Sequence, residues 1–170
     1  MRLSRRSKWI GVLVLAAWIG SGVAWLSAGR SGASDAPIAL RVSLSARVLR
    51  VVQDGKTVAS YGVAVGRPSH PTPTGSFRTG DIVWNPSWRP PPVAWAAKKH
   101  YEPPGAESNP MQGVKIYFQA PYYYIHGTNN PDSIGEAASH GCIRMVPEDA
   151  AALARRIERA GGSVPLIINP

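Results

Sequence analysis

The residues able to do chemistry are concentrated in one short segment. The single cysteine of the chain, Cys142, lies two residues after His140 and sixteen after His126. A cysteine becomes a nucleophile when an imidazole or backbone donors stabilise its thiolate. The intervening segment contains Gly127, Gly135 and a proline, so it can turn back and bring the first histidine to the thiol. The spacing is therefore compatible with a contact between the two side chains, as a cysteine nucleophile and its histidine base would require.

The glycine before the cysteine suggests where a carbonyl oxygen would be held. If the segment is extended, His140 and Cys142 leave it on the same face. Gly141 between them adds no side-chain bulk where a substrate carbonyl must approach. The N–H groups of Gly141 and Cys142 are therefore expected to form an oxyanion hole.

Two other interpretations of these residues stay open. A lone cysteine is commonly a small buried apolar residue, although an exported free thiol is open to oxidation, so that its presence suggests a function. The two histidines and the cysteine could also be three zinc ligands, with water in the fourth position. Asp132 or Glu136 would then be the acidic partner.

The elements that must position these residues are predicted to be mostly strands. The 170 residues include 17 Gly and 16 Pro, and only 17% are charged, which favours a turn-rich β protein over a helical bundle. Apolar residues alternate over positions 38–66, and Asp54-Gly55 is a turn signal that predicts a hairpin over residues 46–65. Further strands are predicted at residues 76–84, 114–118, 122–126 and 164–168.

One helix and one long loop complete the expected domain. A helix is predicted over residues 147–160, because Pro147 suits a first helical turn and two glycines follow the last one. Residues 85–110 are rich in proline and predict a long irregular loop, a feature that is commonly functional in a compact domain. The aromatic and proline-rich segments Trp84–Tyr101 and Tyr122–Tyr124 are expected to form the walls of a groove, with ordinary packing as the alternative. His70 and His100 lie in proline-rich loops and are not expected to be catalytic.

The N-terminal segment is interpreted as a targeting signal or a membrane anchor. Residues 1–8 are basic, and residues 9–28 contain no charge, which is typical of a signal peptide or a membrane anchor. Residues 29–37 are then a linker to a domain over residues 38–170. By the positive-inside rule this domain lies outside the cytoplasmic membrane, in the periplasm or cell envelope, and an uncleaved anchor would attach it to the membrane.

The charge of the chain does not indicate a nucleic-acid partner. The formal net charge is +9, and four of the basic residues fall in the N-terminal segment. The remaining basic residues are scattered rather than clustered in a stripe, so nucleic-acid binding is not expected.

At this point the motifs resemble a known family. The stretch S-H-G-C-I-R-M at residues 139–145, preceded by I-H-G-T at 125–128, resembles the signature of the YkuD-type L,D-transpeptidase catalytic domain. Weaker matches are T-P-T-G-S-F at residues 72–77 and N-P-S-W at 85–88. The resemblance covers about residues 38–170. It implies a mainly β fold, a β-sandwich with one or more short helices.

The resemblance also implies roles for individual residues. Cys142 would be the nucleophile and His126 its base, with the carbonyl of Gly127 orienting the imidazole. His140 would help to shape the oxyanion pocket, and Ser139 would support the loop. The expected substrate-binding residues are Arg144, which would pair with a carboxylate, and the aromatic residues Trp88 and Tyr124.

The implied substrate is a peptidoglycan stem tetrapeptide. The thiolate would attack the carbonyl of the third residue, a diamino acid, and release D-Ala to leave a thioester. An amine of another stem peptide or of an envelope protein would then accept the acyl group. Water as the acceptor would make the chain an L,D-carboxypeptidase, and a non-catalytic wall-binding module is a further alternative. No metal or organic cofactor is needed for this chemistry.

Overall fold

A computed structural model describes residues 37–170. The predicted signal peptide or anchor over residues 1–28 lies outside the described residues, as does nearly all of the linker over 29–37. Among residues 37–170, no helix combines the length and the apolar character needed to cross a membrane.

The described part of the chain is built mostly from short strands. Its one α-helix, α1, runs over Pro147–Arg159, and short 3₁₀ turns cover Ala94–Ala96 and Pro131–Ser133. The strands are β1 (Ile38–Ser43), β2 (Val48–Gln53), β3 (Lys56–Gly62), β4 (Val65–Gly66), β5 (Gly75–Arg78), β6 (Ile82–Trp84), β7 (Gln112–Gln119), β8 (Tyr123–Gly127), β9 (Ala137–Ser139), β10 (Ile143–Met145) and β11 (Pro165–Asn169).

The strands form two main sheets around one apolar core. The first has the order β3-β2-β1-β11-β5, the second has the order β10-β8-β7-β6, and β4 pairs with β9 in a small third sheet. Buried residues of both main sheets and of α1 belong to one cluster, which includes Leu40, Ile116, Ile125, Leu153 and Leu166. The prediction of a mainly β fold with a helix is therefore confirmed.

The predicted hairpin and helix are present. Strands β2 and β3 pair antiparallel, and both Asp54 (φ 50°) and Gly55 (φ 74°) adopt the left-handed region that a two-residue hairpin turn requires. Helix α1 begins at Pro147 and ends before Gly161 and Gly162, both at positive φ.

The single strand predicted over residues 76–84 is wrong, because the chain changes sheets within it. Strand β5 pairs with β11 in the first sheet, whereas β6 pairs with β7 in the second. Thr79 marks the crossing: it is 1% exposed, and its N–H and hydroxyl oxygen both bond the backbone of Val164 at 2.9 Å. The next residue, Gly80, donates its N–H to the carbonyl of Tyr117 in the second sheet.

Candidate active site

The candidate site lies on one face of the second sheet. Along β7, the apolar residues Val114, Ile116 and Phe118 are buried in the core, so the alternate residues Lys115 and Tyr117 lie on the opposite face. Alternation places polar residues of the neighbouring strands β8 and β10 on that face as well; these are Tyr124, His126 and Arg144.

Strand register arranges these side chains in two adjacent rows. His126 of β8 is paired with Lys115 of β7 on one side and with Arg144 of β10 on the other. Tyr124 is paired with Tyr117. Cys142 immediately precedes β10. Extending the register of β8 and β10 by one residue places it opposite Tyr124. The face thus carries a Lys–His–Arg row beside a Tyr–Tyr–Cys row.

A cavity of about 810 Å³ opens over this face. The second wall comes from the proline-rich loop over residues 85–110, through side chains that include Trp88, Trp95 and Lys99. Residues 122–124 line it too, whereas Trp84 does not. The Trp84 indole instead donates to Glu158 of α1 at 2.7 Å.

Cys142 lines this cavity and is partly exposed to it. Its sulfur lies 3.5 Å from the carbonyl oxygen of Tyr122, and it makes no hydrogen bond to a histidine among residues 37–170. Burial raises the pKa of the thiol to about 11, although interactions with Tyr124, Arg144 and Lys115 act in the opposite direction. In the resting protein the group is therefore a thiol near neutral pH.

His126 lines the same cavity and is held in one orientation. Its ring is 2% exposed, and Nδ1–H donates to the carbonyl of Gly127 at 2.8 Å, the bond that the family resemblance implies. This bond assigns the hydrogen to Nδ1 and leaves Nε2 as the proton acceptor. Burial lowers the pKa of His126 to about 4, helped by the cations Arg144 and Lys115.

Gly127 is required at this position by the space around it. A Cβ atom there would lie 2.2 Å from the carbonyl oxygen of Gln112 and 2.9 Å from the Cα of Pro147. The strand can therefore present the carbonyl that orients the imidazole only with a glycine after His126.

The expectation of an extended segment at His140 needs correction. Gly141 has φ +110°, and the chain bends there between β9 and β10, so His140 and Cys142 do not share the face of one strand. The ring of His140 still lines the cavity, where it stacks on Trp95 with centroids 3.8 Å apart. Arg67 donates a hydrogen bond to its Nε2. Burial, followed by the charge of Arg67, lowers the pKa of His140 to about 4, so the ring is neutral.

The predicted oxyanion hole is also only partly available. Ser139, which is 1% exposed, accepts the N–H of Gly141 at 3.0 Å and donates its hydroxyl to the carbonyl of Cys142 at 2.6 Å. Ser139 thus closes the bend before the thiol, but it removes one of the two expected donors. The N–H of Cys142 makes none of the backbone hydrogen bonds found in residues 37–170 and remains available.

The three predicted substrate-binding residues all line the cavity. Arg144 is half-buried and burial lowers its pKa, while the Cys142 thiol acts in the opposite direction and no carboxylate among residues 37–170 acts on it. Trp88 is 9% exposed and anchors the loop, since its N–H and carbonyl pair with Glu102 at 2.9 Å each. The Tyr124 ring meets the edges of Tyr117 and His126 at centroid distances of 5.5 and 5.6 Å.

The side chains are not arranged as the alternative zinc site would require. No group of three histidine, cysteine or acidic residues within positions 37–170 is placed to hold a metal ion. Moreover, the Nδ1 of His126 and the Nε2 of His140 already have hydrogen-bond partners, the second of them a guanidinium.

Two residues of the site, Lys115 and Arg67, were not found from the sequence, and neither was the stacking of Trp95, an expected wall residue, on His140. Lys115 shows a signal in hindsight, because it interrupts the apolar residues of a strand with period two. Arg67 and Trp95 reach His140 from distant loops, and neither has a local pattern that predicts this contact.

Comparison with known proteins shows the family and the fold of the chain. The family model of the YkuD L,D-transpeptidase catalytic domain matches residues 37–167. A relative from Bacillus licheniformis named "Putative L,D-transpeptidase YkuD" is 34% identical over 118 residues, which are 69% of this chain and 59% of the relative. The Bacillus subtilis protein "Putative L,D-transpeptidase YqjB" is 37% identical over 102 residues, covering 57% of this chain and 53% of the relative. The chain thus spans little more than half the length of these relatives.

Solved structures share the fold. An L,D-transpeptidase from Mycobacterium smegmatis superposes with a TM-score of 0.59 at 22% identity, over 79% of this chain and 59% of that one. The L,D-transpeptidase LdtMt1, solved in complex with imipenem, gives a TM-score of 0.60 at 22% identity, over 78% of this chain and 58% of that one. The resemblance seen in the sequence is confirmed at the level of family and fold.

Proposed function

The chain belongs to the YkuD L,D-transpeptidase catalytic domain family, and from that premise we propose that it is a peptidoglycan L,D-transpeptidase with Cys142 as its nucleophile. One observation carries the proposal. The single thiol of the chain opens into the cavity that His126 also lines, and the imidazole is fixed with its Nε2 as the proton acceptor. A thiol that shares a cavity with an oriented, neutral base has the two groups that acyl transfer by a cysteine needs.

The first half of the proposed reaction forms a thioester. Nε2 of His126 takes the proton of the Cys142 thiol as sulfur attacks the carbonyl carbon between the third residue and D-Ala. The Cys142 N–H is the backbone donor available to the oxygen that becomes negative. The carbon–nitrogen bond then breaks, and the nitrogen leaves as the amine of D-Ala with the proton held by His126.

The second half of the reaction transfers the acyl group. An amine of an acceptor stem peptide, or of an envelope protein, attacks the thioester carbonyl and gives its proton to Nε2 of His126. The carbon–sulfur bond breaks, and sulfur takes the proton back to restore the thiol. No carboxylate among residues 37–170 acts on the guanidinium of Arg144, which supports its role as the partner of a substrate carboxylate.

The ionisation of the resting pair supports general-base catalysis rather than a preformed ion pair. The pKa of Cys142 is raised to about 11 and that of His126 is lowered to about 4. Both groups are therefore neutral near pH 7, and the proton moves when the substrate is attacked. Hydrogen bonds between such pairs commonly form only in the substrate complex, which fits the separate sulfur and imidazole contacts seen here.

The proposed substrate also implies in which compartment of the cell the enzyme acts. Peptidoglycan lies outside the cytoplasmic membrane, so the chain is proposed to be exported to the periplasm or cell envelope, with residues 1–28 as its signal peptide or anchor. A reporter enzyme that is active only outside the cytoplasm should show activity when it is fused after residue 170. Activity of a reporter that works only in the cytoplasm would contradict this placement.

Product analysis tests the activity directly. The purified full chain, incubated with a defined disaccharide tetrapeptide, should release D-Ala and form dimers linked between third residues, as measured by mass spectrometry. Cys142→Ser and Cys142→Ala should both abolish release, and a metal chelator should leave it unchanged.

Each contrary product identifies a different failure. D-Ala release by Cys142→Ala would remove the nucleophile assignment, and loss of activity with chelator would favour the zinc alternative. Tripeptide without dimers would make water the acceptor and the chain an L,D-carboxypeptidase. Binding of the tetrapeptide without any product or thioester adduct would indicate a wall-binding module.

A further inference from the structure

The Tyr–Tyr–Cys row contains a group that the proposed mechanism does not use. Tyr124 lies on β8 next to the position of Cys142, on the same face of the sheet, and both side chains line the cavity. The influence of Tyr124 on the pKa of the thiol is in the direction that favours a thiolate. Burial and the nearby sulfur raise the pKa of Tyr124, so its phenol keeps the proton that a hydrogen-bond donor needs.

A cation is fixed over this phenol ring. The Nζ of Lys115 lies 4.7 Å from the centroid of Tyr117 and 5.2 Å from that of Tyr124, within cation–π distance of both rings. The two rings meet edge to face, since Tyr117 and Tyr124 are directly opposite each other across β7 and β8. The ammonium is therefore held on the cavity face by two aromatic partners.

In the resting protein, a positive charge on His126 is disfavoured by its neighbours. It stands between Lys115 and Arg144 in the Lys–His–Arg row, so that a protonated imidazole would be a third cation in a line of three. Its ring is also 2% exposed and makes no hydrogen bond to Cys142. These contacts favour a neutral ring that accepts a proton over an imidazolium paired with a thiolate.

We propose that the thiolate of Cys142, formed as His126 takes its proton, is stabilised by a hydrogen bond from the Tyr124 hydroxyl, with Lys115 fixed over the Tyr124 ring as an accompanying positive charge. Tyr124 is then a catalytic residue that touches the reacting sulfur, and Lys115 is a positioning residue that acts through it. This inference rests on the proposed function, since it concerns the same nucleophile.

Other groups also face the sulfur and must be separated from this pair. Arg144 approaches from β10 and favours the thiolate, the neutral ring of His140 lines the cavity from the bend, and the carbonyl of Tyr122 accepts from the thiol. The variants below leave all of these groups unchanged, so they report on Tyr124 and Lys115.

The experiment measures the ionisation of the thiol itself. Because Cys142 is the only cysteine of the chain, alkylation of the purified full chain by iodoacetamide gives one mass increment, and its rate follows the thiolate fraction as the pH is varied. Tyr124→Phe should slow alkylation about tenfold at pH 8 and shift the alkaline inflection upward by about one pH unit.

Three further variants make the test specific. Tyr117→Phe keeps the ring under Lys115 and should alkylate like the parent chain. Lys115→Met should slow alkylation about two- to fivefold, and Lys115→Arg should restore most of the parent rate because it keeps the charge. This pair also tests the proposal if Tyr124→Phe proves unstable in thermal unfolding.

Contrary results are distinguishable from failure of the proposed function. If Tyr124→Phe alkylates like the parent at every pH, or Lys115→Arg is as slow as Lys115→Met, the inference is overturned even when the chain cross-links tetrapeptides. Because alkylation needs no peptide substrate, a chain that proves inactive on tetrapeptides would still give the same readout.

Discussion

At the scale of single residues, the buried ring of His126 makes the unfolding free energy of the domain depend on pH. Its pKa is lowered from 6.5 to about 4, so the folded chain binds fewer protons than the unfolded chain between these values. The stabilisation is complete above pH 6.5 and is lost as the pH falls towards 4, because protons then favour the unfolded chain.

His126→Gln tests this contribution. The parent chain should lose about 2–3 kcal/mol of unfolding free energy from this group between pH 7 and 4.5, and the variant should lack that part of the loss. Urea unfolding at the two pH values measures it. The control is His100→Gln, which removes an exposed histidine. If the unfolding free energy of His126→Gln fell between pH 7 and 4.5 by as much as that of the parent, the prediction would be contradicted.

Gly141 is constrained twice, by its backbone and by its neighbour. Its φ of +110° is one that other residues rarely adopt, and a Cβ atom there would lie 2.7 Å from Cε1 of Tyr123. The bend that separates His140 from Cys142 therefore depends on the absence of a side chain.

Gly141→Ala should destabilise the chain by about 2–4 kcal/mol and slow D-Ala release strongly, because both the strain and the contact displace the thiol. Gly135→Ala is the matched control: it has φ +91° with nothing within 4 Å of the added Cβ, so it carries the backbone strain alone. Chemical unfolding and product assays compare the two. Equal effects would show that the contact with Tyr123 is unimportant.

At the scale of elements, the loop over residues 85–110 is ordered by one buried amide. Asn109 is fully buried; it donates to the carbonyls of Pro86 and Pro103 at 2.8 and 2.9 Å and accepts the N–H of Met111 at 2.8 Å. Prolines lack a donor, so a side chain ties these segments together where backbone pairing is scarce. The cavity wall is consequently fixed from behind.

Asn109→Ala should lower the unfolding free energy by about 2–4 kcal/mol, because it removes two buried hydrogen bonds and one partly buried hydrogen bond to the backbone. It should also raise the KM for tetrapeptide as the wall loosens. Asn129→Ala is a milder comparison, since its exposed amide bonds the carbonyls of Glu107 and Ser108 at 3.2 Å and should contribute less than about 1 kcal/mol. Urea unfolding measures the two free energies. Equal losses in Asn109→Ala and Asn129→Ala would refute the role of Asn109 in ordering the loop.

Elements with a local signal could be predicted from the sequence, and those defined by distant partners could not. The β2–β3 hairpin follows from Asp54-Gly55, and the segment around Cys142 follows from its motif. The break at Thr79 depends on bonds to Val164, 85 residues away. Likewise, Ser139 captures the N–H of Gly141 only because the chain bends there. The Lys115–His126–Arg144 row required strand order and register, which residue patterns do not fix.

At the scale of the whole molecule, β11 joins the parts of the first sheet. It lies between β1 and β5, parallel to the former and antiparallel to the latter. Leu166 and Ile168 of this strand belong to the core that both main sheets share with α1. The strand therefore completes the sheet and the core at once.

Leu166→Ala should lower the unfolding free energy by about 2–5 kcal/mol, since it removes buried volume at the centre of the first sheet. Ile167→Ala, on the half-buried face of the same strand, should cost clearly less. Both are measured by urea unfolding at pH 7, and a larger loss for Ile167→Ala would contradict the described core.

The pairing of β1 with β11 also dictates an order of events during biosynthesis. Ile38–Ser43 emerges from the ribosome early, but its parallel neighbour Pro165–Asn169 is translated more than a hundred residues later. Contacts between such distant segments form slowly, and the nascent polypeptide stays open until they do. If the chain is exported as proposed above, this delay would leave the polypeptide unfolded while it passes a secretion channel, and the thiol would acquire its neighbours only afterwards.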